Sequence, residues 1–106
     1  MNTVLITFLK RGFGYAQQAF TAYYANHKKE ASIGFINAAG TAITAAELLC
    51  STDDSVSAEL FDAFFKKFHS YQFALLNDFA QNLPYPRKGD VLFSELKDIY
   101  ESLSIS

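Results

Sequence analysis

Three side chains have the chemistry for nucleophilic or acid–base work: His27, His69 and Cys50, the only cysteine in the chain. A thiol becomes a nucleophile when a neighbouring imidazole takes its proton, and a metal needs several such groups at close spacing. Here they fall on three different predicted elements, and no spacing makes them a ligand set. No P-loop, G-x-G-x-x-G, H-E-x-x-H, C-x-x-C or G-x-S-x-G pattern accompanies them. Gly12-Phe13-Gly14 is a fragment of a glycine-rich loop and nothing more. His27 reads as a buried or helix-capping residue, and Cys50 as a small buried apolar one. The expectation is a non-enzymatic protein with no catalytic residue, cofactor or metal.

The remaining charged residues point to surfaces instead. Glu47 projects among Ile33, Ile36, Gly40 and Ile43, where a carboxylate needs a partner. It either reaches solvent from a last helical turn or pairs with Lys10 or Arg11. Basic residues come as doublets, Lys10-Arg11, Lys28-Lys29, Lys66-Lys67 and Arg87-Lys88. Lys10-Arg11 and Lys66-Lys67 fall at similar heights in a bundle, so they could form one belt suited to a nucleic-acid backbone. Phe73 projects onto a polar helix face among Asp62, Lys66, His69, Ser70 and Asn77. The ring either lies under the last helix or a loop, or is left in water; in the second case it marks Lys66, Lys67, His69, Phe73 and Asn77 as the expected partner-binding surface, with Lys10 and Arg11 as its basic extension. Asp90, Glu95, Asp98 and Glu101 give the last element an acidic outer side.

The element that carries Phe73 organises the chain. Ser57–Leu83 holds six of the eleven phenylalanines and no Gly or Pro. At about 100° per residue, Leu60, Phe61, Phe64, Phe65, Phe68, Tyr71, Leu75, Leu76, Phe79 and Leu83 gather on one side, with Gln72 as a polar intruder. Such a stripe needs cover. Residues 2–30 offer Leu5, Leu9, Gly12, Ala16, Ala19, Phe20, Tyr23 and His27 on one face, although Gly12 and Gly14 could break that helix. Residues 31–50 are small, apolar and uncharged before Glu47, with Gly40-Thr41 as a point of kinking. Asn37, Thr41 and Thr44 dilute the run enough to favour a packed helix over a membrane span. Cys50–Ser57 reads as a connector with an N-cap between Asp54 and Ser57. Pro84 and Pro86 stop the long helix, and residues 90–103 form an amphipathic fourth one before a fraying tail.

The chain therefore reads as one all-α domain over 1–106, an antiparallel four-helix bundle with helices at 2–30, 31–50, 55–83 and 90–103. Net charge is −2 and uneven: residues 1–50 carry +2 and residues 51–106 carry −4. That balance argues against a strongly basic nucleic-acid binder. One cysteine and an N-terminus unlike a signal peptide predict a cytoplasmic location. The leading expectation is a protein-binding module that blocks or bridges a larger partner. Inhibitors, immunity proteins and phage-type antagonists, anti-CRISPR-like proteins included, are of this kind. The alternatives are nucleic-acid binding through the doublets and self-association through residues 31–50.

Overall fold

The computed structural model describes residues 3–52, 58–81 and 88–103. Within them, α1 (Thr3–Phe20), a π-helical turn (Thr21–Ala25), α2 (Lys29–Thr52), α3 (Ala58–Gln81) and α4 (Lys88–Ser102) build an all-α four-helix bundle of 44 × 21 × 21 Å. α1 pairs with α2 and α3 with α4, each as an antiparallel hairpin. Contacts of α2 with α3 and of α1 with α4 close the ring, which leaves α1 and α3 diagonal to one another. The predicted N-cap between Asp54 and Ser57, the Pro84–Pro86 stop, Leu83 and the tail Ser104–Ser106 lie outside the described residues.

The stripe on α3 fills the centre, as its periodicity requires. Phe61, Phe64, Phe65, Phe68, Tyr71, Leu75 and Phe79 are all buried. Leu76 departs from the expectation. It sits at the edge of the stripe and stays exposed.

Neither α1 nor α2 breaks at its glycines, and two of them, Gly12 and Gly40, are contact points between helices. A Cβ on Gly12 would run into the Ile43 side chain of α2, so the missing side chain is what lets the two backbones approach. A Cβ on Gly40 would lie 2.6 Å from the Gln72 amide nitrogen of α3, which also explains the polar intruder in the α3 stripe. Buried Ala16, Ala19, Ala39 and Ala46 continue the close seam, and the Ser32 hydroxyl donates to the Ala19 carbonyl at 2.7 Å. By length and composition alone α2 could cross a membrane; 28% of its apolar window is buried in this core, and Ile36, Ala39, Ile43 and Ala46 are fully so.

α4 meets α1 through rings instead. Phe13 stacks on Tyr100 at 4.0 Å and on Phe93 at 5.8 Å, and Phe20 stacks on Phe93 at 4.6 Å. Tyr71 reaches across from α3, tilted against Phe93 at 5.4 Å, and its hydroxyl donates to the Ala16 carbonyl at 3.0 Å. Burial pushes the Tyr71 phenol well above its ordinary value.

The first helix ends before the predicted residue 30. Its last turn widens to a π-turn, with the Asn26 amide donating to the Thr21 carbonyl at 3.1 Å. His27 then adopts φ 55°, the left-handed C-terminal position that glycine usually fills, and its side chain is exposed. Of the two expectations for His27, burial or a helix-capping place, burial is corrected and the capping place stands: the π-turn and the left-handed residue rotate it off the apolar face. A non-glycine residue held there costs roughly 1–2 kcal/mol.

Candidate protein-docking face

Lys66, His69, Phe73 and Asn77 recur every three or four residues along α3, so they share one side of the helix, and all four are exposed. Phe73 is the most exposed large apolar side chain among the described residues, at 74%. Leu76, 40% exposed, lies three residues on and adjoins it. Towards α2 the surface continues as a shallow groove of about 390 Å³ lined by Asn37, Gly40, Thr41, Thr44 and Gln72. The Thr41 hydroxyl is already satisfied by the Asn37 carbonyl of its own helix, at 3.2 Å. Leu48 extends the same exposed side of α2.

The charges around this face are paired within the chain. His69 Nε2 lies 2.5 Å from Glu47 Oε1, bridging α3 to α2. Lys66 Nζ donates to Asp62 Oδ2 at 2.9 Å, and that contact holds its ammonium above the ordinary value. Lys67 Nζ donates to Glu95 Oε2 of α4 at 2.7 Å and is left only 26% exposed. Exposed pairs of this kind add little to the fold, because solvent screens them. Their effect on recognition is larger, because they cancel the field that the basic doublet would otherwise project.

The structure thus gathers four of the seven expected surface residues, Lys66, His69, Phe73 and Asn77, and separates the other three. Lys67 turns away to α4. Lys10 and Arg11 are exposed on α1, diagonal to α3, and form no ion pair among the described residues. The Tyr100 ring touches both Phe13 and Phe64, so the two doublets do share a height, but they point to different sides of the bundle and make no single belt. Glu47 takes His69 as its partner, not Lys10 or Arg11. Arg87 of the fourth doublet lies outside the described residues.

Leu76, Gln72 and the exposed side of α2 were not anticipated as parts of this face. The signal was present: residues 31–46 hold no charge, so their outward positions Ala31, Gly34, Asn37, Thr41 and Thr44 had to form an uncharged strip. Near the far end of α2 a second cleft, about 400 Å³, is lined by residues including Glu47, Cys50, Asp62 and Phe65. Among the described residues no group of three or more His, Cys, Asp or Glu side chains is arranged to hold a metal ion. Set against protein-family models, curated proteins and solved structures, the chain finds no match.

Proposed function

We propose that this chain is a non-enzymatic, cytoplasmic protein-binding module that blocks or bridges a larger protein, in the manner of an inhibitor or immunity protein. It docks through the α2/α3 face centred on Phe73. The observation that carries this reading is the exposure of Phe73 beside Leu76, on a face where Lys66 is paired with Asp62 and His69 is hydrogen-bonded to Glu47. Moving a phenylalanine side chain from water into an apolar pocket is worth about 1.5–3 kcal/mol. The complementary partner surface is therefore a protein pocket with apolar walls and an uncharged polar rim, sized to take the ring. Counter-charges on the partner would find little to meet. The nucleic-acid alternative needs free cations on one side, whereas Lys66 and Lys67 are paired and Lys29 donates to the Phe79 carbonyl at 2.7 Å. Of the Ala and Gly residues of α2 that would suit self-association, Ala39, Ala42 and Ala46 are taken up by the core, whereas Ala31 and Gly34 are exposed.

Affinity capture from the native host, followed by titration of the purified partner, tests this. Phe73→Ala is expected to weaken binding by at least about tenfold, as central aromatic anchors do. Lys10→Glu/Arg11→Glu should leave binding unchanged, and rising salt should alter it little. Undiminished binding by Phe73→Ala would sink the proposed face. A steep salt dependence abolished by charge reversal would return the nucleic-acid reading.

A further inference from the structure

The turn between α1 and α2 lies at the same end of the bundle as the C-terminus of α3 and the N-terminus of α4, and a compact set of contacts ties them together. From the π-turn, Tyr24 Oη donates to Asp78 Oδ2 of α3 at 3.3 Å, and Asp78 is 5% exposed. The Tyr24 ring packs so closely on Gly89 of α4 that any Cβ there would overlap its hydroxyl. Tyr23 meets Phe79 edge-on at 4.7 Å, and Lys29 Nζ caps the Phe79 carbonyl near the α3 C-terminus.

Two backbone irregularities put those groups in place. The wider π-turn carries Tyr24 back over Phe20, with ring centroids 4.8 Å apart, which aims its hydroxyl at α3 and α4. His27 then holds a left-handed conformation to turn the chain into α2. Strained positions of this kind persist only where surrounding contacts over-determine them. The chain passes from one hairpin to the other between Thr52, the last residue of α2, and Ala58, the first of α3, at the opposite end. One end is joined by chain, and the other by these contacts.

We propose that Tyr24, Asp78, Lys29 and Gly89 form a conformational latch. Its release opens the bundle from the π-turn end while the end where the chain passes from α2 to α3 stays closed. The strain at His27 favours release, and the packing of Tyr24 on Gly89 opposes it. This inference needs no partner and stands independently of the docking face.

Native-state hydrogen exchange on the intact chain, read peptide by peptide, tests it. Gly89→Ala is expected to speed exchange in 74–81 and 88–96 by at least about tenfold over 39–50 and 61–68, a gap of about 1.4 kcal/mol. Tyr24→Phe, which keeps the ring and removes the donor, should produce a smaller change with the same distribution. His27→Gly should slow exchange at that end. In a Tyr24→Ala background, Gly89→Ala should have little further effect, because the ring it collides with is gone. The latch is overturned if exchange rises equally at both ends, or if Gly89→Ala costs as much without the Tyr24 ring as with it.

Discussion

The seam between α1 and α2 and the seam between α1 and α4 join the same helix to its two neighbours with opposite materials. On the α2 side the contacts are Gly12, Ala16, Ala19, Ala39 and Ala46, so the backbones approach closely and little side chain lies between them. On the α4 side Phe13 and Phe20 stack on Phe93 and Tyr100, and rings fill a wider gap. The first seam fails by insertion of an atom and the second by removal of one. One helix can serve both because its periodicity puts small residues and rings on neighbouring stripes.

Removing a ring should have the largest effect. Phe93→Ala takes away a side chain in contact with Phe13, Phe20 and Tyr71, and is expected to cost about 3–5 kcal/mol in chemical denaturation. Inserting a single methyl in the other seam should come next. Gly12→Ala gains about 1 kcal/mol in helix propensity but presses on Ile43, which is fully buried and stiff at χ1. Overpacking costs about 1–3 kcal/mol, so the variant should be net destabilised, and less so in an Ile43→Ala background. Gly14, two residues along, has nothing within 4 Å of an added Cβ, so Gly14→Ala should stabilise by up to about 1 kcal/mol. Equal effects at the two glycines would erase the distinction between the seams.

The smallest expected effect is read by pH. Tyr71 bridges from the aromatic side to the Ala16 carbonyl, and burial raises its phenol above the ordinary value. The folded state therefore keeps a proton that the unfolded chain loses at a pH of about 10. Stability should be intact below that pH and fall as the pH rises beyond it. Tyr71→Phe should flatten the fall in denaturation midpoint against pH, at a cost near neutrality of about 1 kcal/mol for the lost hydrogen bond. Some slope will remain, because burial also raises Tyr24 and Tyr100. A variant as alkali-sensitive as the parent would remove Tyr71 from that account.

Periodicity made the α3 stripe legible from sequence, since Phe61, Phe64, Phe68, Tyr71 and Leu75 can share a side only on a helix. The same reasoning put Phe73 on the polar face but left open whether the last helix or a loop covered it; its exposure is read only from the structure. Composition left the glycines ambiguous: Gly12 looks identical whether it breaks a helix or admits a neighbour, and only the position of Ile43 decides. The π-turn was hidden because hydrogen-bond pattern, not residue type, sets it. Asp78 is another such case. Its spacing places it on α3, yet its burial depends on Tyr24, which is 54 residues away. The partner of Glu47 was missed for a related reason. Judging height along the bundle suggested Lys10 and Arg11, but the order of helices around the ring put His69 beside it.

The aromatic seam also bears on how the chain is made. Phe13 and Phe20 emerge from the ribosome with α1, whereas Phe93 and Tyr100, which cover them, arrive with α4. At about 5–20 residues per second, the eighty residues between Phe13 and Phe93 take roughly 4–16 s to synthesise. The α1/α2 hairpin can close well within that time, because its contacts are local in sequence. For those seconds the nascent hairpin presents a row of bare rings. In that interval the chain is most open to chaperone capture and to aggregation with its own copies.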